Sequence, residues 1–539
     1  MKKILAAALA LVMALSMAAC GNTEQPAETT QAPAETTKAQ GETTETTAAP
    51  VETGRTTTKE QLIVAGKADV GTLAPYADTS VDRCRVTMNI YDTLFVAQSD
   101  GSYEPCLATA WEWVDDTHLK VTLREGVKFS NGNAFTADDV LFTLEYAKSE
   151  KSAIASTYAA IDLENTVVNS DTEIVIALSA PNSTIMGYLG STGYTSILDR
   201  ETCEADYDAM ATKPVGTGPY MVDSWTVGDN VTLVKNPNYW GEEPVIDTVI
   251  VRAITESTQR TIELQTGGVD MVYDVPVADV DTIKALGNYT VVEESGVTVH
   301  NLYFNATEGH ALASLNLRKA VALAINKEDI VIGGYEGSAQ VATSFASSAA
   351  IGYQYATNGG ECFPQDVEAA KQALADYLAE TGAAQAEITI LYDTNAFRTA
   401  TVQIVAKQLE DIGIKVNLEQ YDFGTALNMA LDQSGAWDIY LLGNGESSVL
   451  LQCGRFDRAQ APFQAYASDE LQAIYEEMTI TTDEGKLNTL YSEIYDYFLE
   501  NYVYVPYCEE LVFMAHPSNL ENFEIYNAVG VFFQDLAFN

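Results

Sequence analysis

The residue types that most often carry out chemistry are scarce in this chain, and they form no known catalytic or metal-binding pattern. Four histidines occur, and no two of them have the spacing of metal ligands. The patterns His-Glu-x-x-His and Gly-x-Ser-x-Gly, which mark metalloproteases and serine hydrolases, are missing from the sequence. We therefore predict no metal, no cofactor and no enzyme activity. The alternative from the enzyme class is a secreted hydrolase that acts through a pair of its many carboxylates.

Cys20 is the residue whose position most clearly indicates a reaction. The chain begins with Lys2 and Lys3, runs apolar from Ile4 to Met17 and reaches small residues just before the cysteine. This is the layout of a secretory signal, and its apolar run is shorter than the roughly 20 residues of a membrane-spanning helix. The segment resembles a bacterial lipoprotein signal, in which the cysteine thiol receives a lipid and becomes the mature N-terminus.

The lipoprotein resemblance implies a cleaved signal over residues 1–19 and a lipid anchor on Cys20, with palmitate among its acyl chains. The protein would then work at the outer face of the bacterial cell membrane, on the periplasmic side in a Gram-negative cell. The alternative is an ordinary signal peptide in which the cysteine is incidental.

Residues 20–58 comprise this cysteine and a segment made almost entirely of Thr, Glu, Ala, Gln, Pro and Gly. Val51 is the only large aliphatic residue in the segment. Such a composition buries too little apolar surface to offset the entropy lost on ordering. We therefore predict a disordered tether that holds a folded body away from the bilayer.

The chain behind the tether has the composition of a large globular body, because 47% of the full sequence is hydrophobic and 19% is charged. The net charge of −47 argues against nucleic acid and against anionic lipid surfaces as partners. Six further cysteines lie far apart along the chain. The sequence does not decide whether any of them form disulfides, although it favours free buried thiols. We expect a monomer.

Hydrophobic periodicity in the body predicts mixed α and β structure. Two strands, Glu387–Tyr392 and Ile414–Leu418, flank a helix over Ala396–Asp411 that Gly413 ends. This β-α-β unit predicts a parallel sheet with a helical crossover. Elsewhere, Gly216-Thr217-Gly218-Pro219 predicts a chain reversal that leads into a strand.

A set of short motifs, ordered across roughly residues 60–510, resembles the family 5 extracellular solute-binding proteins, which are the peptide-, nickel- and oligosaccharide-type receptors of ABC importers. Each motif is weak alone, and their common order makes the set specific. The matching segments are Asn89–Phe95, Asp100–Ala108 with Trp111, Leu123–Phe129, Asn131-Gly132, Phe135–Val140, Pro214–Tyr220, Asn236–Trp240, Leu302–Asn305, Leu317–Ala320, Ala324-Ile325 and Trp437–Ile439.

The resemblance implies an α/β (mixed α+β), two-lobe fold of the periplasmic-binding-protein type II class, with an inserted subdomain and a ligand cleft between the lobes. It places lobe I at 59–298, with the subdomain at about 96–214, and lobe II at 299–510. Residues 511–539 return to lobe I. The implied function is capture of a small extracellular ligand and its delivery to an ABC permease and ATPase complex.

An oligopeptide is the ligand class that the resemblance favours, although one expected feature is missing. Peptide receptors of the family often carry an arginine for the peptide carboxylate in the strand that here reads Ile388–Tyr392. They also carry an aspartate for the peptide ammonium, which Glu446 could replace. An oligosaccharide or other non-peptide solute is therefore the alternative, and a surface adhesin is a rival from a different class.

Strand ends of open α/β sheets usually present ligand-binding groups, and four segments of this chain combine such a position with suitable side chains. Tyrosines suit an aromatic-lined cleft, asparagines both donate and accept hydrogen bonds, and Glu446 could bind an ammonium group. The predicted ligand-binding residues are Tyr76, Tyr303, Asn305, Tyr392, Asn395, Asn444 and Glu446.

Overall fold

The computed structural model describes residues 55–78, 80–98, 101–191, 193, 195–431, 437–457, 468–526 and 529–539. Cys20 and the predicted tether up to residue 54 therefore lie outside the described residues. The six body cysteines are buried free thiols. None of the helices in the described ranges is long and apolar enough to cross a lipid bilayer.

Strands and helices interleave along the chain. The strands are β1 Gln61–Gly66, β2 Phe95–Ala97, β3 Tyr103–Pro105, β4 Ala108–Asp115, β5 His118–Leu123, β6 Val167–Ser170, β7 Glu173–Ala177, β8 Tyr220–Thr226, β9 Asn230–Lys235, β10 Thr248–Ala253, β11 Met271–Val272, β12 Tyr289–Phe304, β13 Ala339–Val341, β14 Glu387–Asp393, β15 Lys415–Tyr421, β16 Ile439–Gly445, β17 Tyr504–Pro517, β18 Leu520–Glu521 and β19 Ala537–Phe538. The helices are Val81–Thr87, Ala137–Lys148, Thr184–Leu189, Arg200–Asp206, Ser257–Thr266, Val277–Lys284, Leu315–Ala324, Lys327–Tyr335, Val367–Thr381, Ala396–Asp411, Phe423–Leu431, Val449–Gln452, Asp469–Ile480 and Glu484–Asn501.

One long mixed sheet runs through the molecule in the strand order β15-β14-β16-β12-β17-β11-β1-β10-β9-β8. Its central pair, β12 and β17, is antiparallel, and its register is interrupted between Ser295 and Val299. Up to Ser295, β12 is paired with β17. From Thr298 onward, β12 is also paired with β16, which belongs to the other half of the sheet. The two central strands therefore connect two lobes and can act as their hinge.

Each lobe has its own hydrophobic core. One core gathers buried side chains between Leu302 and Cys508. The other lobe is built on residues from Leu62 to Ile283 together with the C-terminal segment from Phe513 to Phe538. A separate antiparallel sheet, β4-β5-β7-β6, packs with the helix Ala137–Lys148. It forms an inserted layer on the lobe that contains Leu62.

The predicted β-α-β unit is confirmed. The Asn395 side chain accepts a hydrogen bond of 3.1 Å from the amide of Arg398 and so caps the helix Ala396–Asp411. Gly413, with a φ of +104°, follows the helix end, and only glycine adopts this conformation without strain. Strands β14 and β15 are then parallel, with Glu387 opposite Lys415.

The chain bends at 217–219 just before β8 begins at Tyr220, as predicted, and Gly216 and Gly218 also have a packing role. Neither has a positive φ. A Cβ at Gly216 would lie 2.1 Å from the Ile90 carbonyl oxygen, and one at Gly218 would lie 2.7 Å from the Ile90 carbonyl carbon. The Gly218 amide donates to the same carbonyl at 2.9 Å. The glycines therefore let two distant family motifs pack backbone against backbone.

Candidate functional site

A cavity of about 340 Å³ lies between the inserted subdomain and the lobe that contains residues 302–508. Its walls come from residues 101–191 on one side and from residues 351–352 and 447–491 on the other. The volume is in the range of small-molecule sites. A ligand in this cavity would contact both lobes at once.

Aromatic side chains form much of the wall. The Phe95 ring fixes two of them, since its centroid lies 5.2 Å from that of Tyr103 and 4.9 Å from that of Trp111. On the facing lobe, Tyr491 packs over Gly352, where a Cβ would come within 2.8 Å of the ring. The aromatic lining residues are Tyr103, Trp111, Trp113, Tyr188 and Tyr491.

The polar part of the opposite wall begins where β16 ends. Ser447 and Ser448 line the cavity directly after Glu446. The Ser447 carbonyl accepts a hydrogen bond of 2.9 Å from the amide of Ile351, and the Ser448 side chain caps the helix Val449–Gln452. These local bonds hold the end of the strand in a fixed position at the cavity.

Glu446 immediately precedes the two serines of this wall. Burial raises its pKa to about 7, against the opposing effect of the nearby Arg455 guanidinium. Arg455 itself donates to the Asn444 side chain. Burial, and then the Glu446 carboxylate, raise the pKa of Tyr188, which lines the cavity from the facing subdomain.

The subdomain and the opposite lobe touch directly at the rim of the cavity. The Ser183 amide donates to the Thr479 carbonyl at 2.9 Å, and the Ser183 hydroxyl donates to the Met478 carbonyl at 2.6 Å. Ser183 also lines the cavity. These hydrogen bonds exist only while the two lobes are close together, so they stabilise a closed arrangement.

A larger cavity, of about 720 Å³, belongs to a single lobe. It is lined by Asp92, Tyr239 and Trp240 and by the C-terminal residues 522–535. The Trp240 indole donates to the Asp92 carboxylate at 2.8 Å. A ligand there would not bridge the lobes, so we place the candidate site at the smaller interlobe cavity.

The predicted ligand-binding residues separate into two groups. Tyr76, Tyr303 and Asn305 are buried and do not line the interlobe cavity. The Tyr76 hydroxyl donates to the Ser196 carbonyl at 2.9 Å, and the Asn305 amide donates to the Trp437 carbonyl at 3.1 Å. The structure thus gives these side chains positioning roles, and their contact with a ligand stays a prediction.

The other four predicted residues lie at the ends of β14 and β16. Tyr392 is buried, Asn395 is the helix cap and Asn444 accepts from Arg455. None of these four is among the described residues that line the cavity either, and Glu446 immediately precedes the serines of its wall. A ligand contact for any of the four also stays a prediction, and Glu446 has the most suitable position.

Sequence reasoning missed the aromatic wall of the subdomain. Trp111, named above only as part of a family motif, lines the cavity with Trp113. The two rings stand two residues apart on β4, and alternate residues of a strand face the same side. The pattern Trp111-Glu112-Trp113 was therefore an available signal for an aromatic surface.

No group of three or more His, Cys, Asp and Glu side chains in the described part of the chain is arranged to hold a metal ion.

Residues 102–449 match the model of the bacterial extracellular solute-binding proteins, family 5. The chain is 25% identical over 492 residues to the glutathione-binding protein GsiB of Salmonella paratyphi A, a match that covers 88% of this chain and 94% of that protein. Two solved structures illustrate the likeness of fold. A nickel ABC transporter protein of Bacillus halodurans is 22% identical, with a TM-score of 0.76 over 89% of this chain and 100% of that one.

The oligopeptide-binding protein AppA of Bacillus subtilis, solved with a nonapeptide, is 21% identical, with a TM-score of 0.66 over 90% of this chain and 100% of that one. These likenesses confirm the predicted mixed α/β, two-lobe fold of the type II class. The matched family model covers well over half of the chain. This chain therefore belongs to the family 5 bacterial extracellular solute-binding proteins.

Proposed function

We propose that this protein captures a small peptide-type ligand outside the cytoplasm and delivers it to an ABC permease and ATPase complex. The observation that carries the proposal is the cavity between two lobes that are joined by β12 and β17. The peptide complex of AppA and the glutathione-binding relative support a peptide-type ligand. We infer no catalytic role, since the family consists of receptors for solutes.

Closure of the lobes explains how such a receptor reports that it is loaded. A ligand that contacts the aromatic wall of the subdomain and the serines after β16 binds the closed state more tightly than the open one. Binding therefore shifts the population toward the closed state. The permease can then distinguish loaded from empty receptor by shape, with the Ser183 contacts as part of the closed interface.

We also propose the boundaries of the moving parts. Lobe I comprises 59–298 and 511–539, with the inserted subdomain at about 96–214, and lobe II comprises 299–510. The interruption of the central strand pair between Ser295 and Val299 supports a hinge at that boundary. We propose that a monomer is sufficient, because the cavity is built from one chain.

Mass spectrometry of the small molecules that co-purify with the full chain tests the ligand class. We expect short peptides, and we expect a synthetic copy of the most abundant one to bind with a single site in calorimetry. An oligosaccharide in place of peptides would favour the alternative, since tryptophan and tyrosine faces also suit sugars. Turnover of the added peptide would contradict a receptor without catalysis.

We propose a lipid anchor on Cys20, which would keep the receptor at the outer face of the cell membrane. In cells labelled with palmitate, Cys20→Ala is expected to lose the label and to leave the membrane fraction or accumulate as an uncleaved precursor, because the thiol is the only acceptor at that position. Substitution of Cys84, which is buried in the body, is the control and should leave the label in place. Unchanged labelling of the Cys20 variant would contradict the anchor.

A further inference from the structure

The interlobe cavity carries acidic side chains, and no lysine, arginine or histidine occurs among its described lining residues. Glu112 and Glu484 line the cavity, and Glu446 lies next to it. Lys120 neutralises Glu112 through an ion pair of 2.5 Å. The side chains of Glu446 and Glu484 make no hydrogen bond or ion pair with another residue in the described ranges.

These two carboxylates therefore lack a partner of opposite charge in direct contact. The basic group that opposes the rise in the pKa of Glu446 is Arg455, and its guanidinium donates to the Asn444 side chain. Glu484 is the first residue of the helix Glu484–Asn501, where the partial positive charge of the helix end compensates only a fraction of a full charge. The formal charge of the described lining residues is thus negative.

The aromatic rings of the cavity wall also favour a positively charged group. Tyr103 and Tyr188 line the same cavity as Glu112 and Glu484. Glu484 contributes, after burial, to the raised pKa of Tyr103, and Glu446 contributes in the same way to that of Tyr188. The face of an aromatic ring attracts cations, most strongly where water is excluded. A positive group inside the cavity would meet ring faces and carboxylates together.

We propose that the interlobe cavity selects ligands that bring a positively charged side group, the amine or guanidinium of a basic peptide, and rejects ligands that bring a carboxylate to the same place. The inference rests on the proposed peptide-binding function and narrows its ligand to the basic members of that class. A carboxylate in this cavity would lose its hydration without gaining a cation, which is strongly unfavourable.

This selectivity separates the chain from the relatives whose name is glutathione-binding protein. Glutathione carries two carboxylates and one ammonium group. The described lining offers neither carboxylate a basic partner. We expect glutathione to bind at least about tenfold more weakly than a basic tripeptide, since a factor of ten is the scale of one desolvated charge interaction.

Calorimetry of the full chain with three matched tripeptides tests the inference. Ala-Lys-Ala, Ala-norleucine-Ala and Ala-Glu-Ala share their termini and differ in the charge of one side chain. At pH 8 we expect the lysine peptide to bind about tenfold more tightly than the norleucine peptide, and the glutamate peptide to bind most weakly. Equal affinities, or the reverse order, would overturn the charge preference and leave peptide binding intact. Absence of binding by all three would remove the peptide function and this inference with it.

Variants locate the preference at the two acids. Glu446→Gln and Glu484→Gln should each reduce the advantage of the lysine peptide by about threefold to tenfold. Glu493→Gln, at an exposed position of the helix that begins at Glu484, should not.

Lowering the pH from 8 to 6 should weaken binding of the lysine peptide to the natural chain, because Glu446 takes up a proton near pH 7. The Glu446→Gln variant should lose most of this pH dependence. A lysine advantage that survives both substitutions would overturn the assignment to this cavity.

Discussion

Replacement of Arg85 by methionine is expected to lower the free energy of unfolding by about 3–5 kcal/mol, the cost of removing one partner from a buried ion pair. Arg85 is 2% exposed, and its guanidinium makes two hydrogen bonds, of 2.7 and 3.2 Å, to the Asp274 carboxylate. It also lies 4.3 Å from the centre of the Tyr273 ring. Methionine fills a similar volume but leaves the Asp274 charge buried without its main partner.

Urea denaturation followed by tryptophan fluorescence measures this loss. The control is Arg200→Met, which removes an exposed arginine paired with Glu204 at 2.9 Å. Exposed pairs contribute little, so the control should change the free energy of unfolding by less than about 1 kcal/mol. Equal effects of the two substitutions would show that the Arg85 pair is not a buried structural element.

The effect of Arg85→Met should also depend on pH. Burial alone would raise the pKa of Asp274, but the Arg85 guanidinium overcomes this effect and holds the pKa below its usual value. The stabilisation from this depressed pKa is complete above the ordinary aspartate pKa of about 3.9 and is lost as the pH falls through the lower value of the folded state. The difference in stability between the natural chain and the variant should therefore narrow as the pH falls, because protonation of Asp274 in the variant removes its uncompensated buried charge.

Replacement of Gly216 by alanine is expected to destabilise lobe I by about 3 kcal/mol or more, at the upper end of overpacking effects. The new Cβ would lie 2.1 Å from the Ile90 carbonyl oxygen, so the backbone has to move. That movement would disturb the hydrogen bond from Gly218 to Ile90 and the bond from Ser130 to the Gly216 carbonyl, both of 2.9 Å.

Scanning calorimetry of the natural chain, the Gly216 variant and a control separates close packing from a general effect of alanine. Gly424→Ala is the control, because its nearest neighbour, an Asp422 oxygen, would lie 3.5 Å from the new Cβ inside a helix. Alanine favours helix by about 1 kcal/mol over glycine, so this variant should be unchanged or slightly stabilised. A Gly216 variant with an unchanged melting temperature would contradict the close approach of the two motifs.

The family of this protein could be predicted from its ordered motifs, and so could several local elements. The helix Ala396–Asp411 illustrates why. Its cap, Asn395, and the glycine after its end, Gly413, act on backbone groups within a few residues of themselves. Such short-range effects depend on the local sequence, so the sequence is sufficient to predict them.

The same motifs were harder to interpret where they meet in space. At Gly216 and Gly218 the sequence predicts the bend that leads into β8, because a turn is the common local reason for glycine, but it gives no sign of their packing role. Their contact with Ile90 joins residues more than a hundred positions apart. Only the tertiary structure shows that the missing side chains make room for another backbone.

The candidate site also has one part that the sequence predicts and another that only the tertiary structure shows. Glu446 could be proposed from the sequence, since it follows a strand of an open α/β sheet, where ligand groups are usually presented. The aromatic rings of the cavity wall, Tyr103, Trp111 and Tyr188, come from an inserted subdomain far away along the chain. The sequence alone therefore determined the family, the elements and one acidic group. The tertiary structure decided which aromatic wall lies across the cavity from the serines that follow this acid, and it left the acid without a basic partner in direct contact, because burial and long-range contacts depend on how the lobes pack.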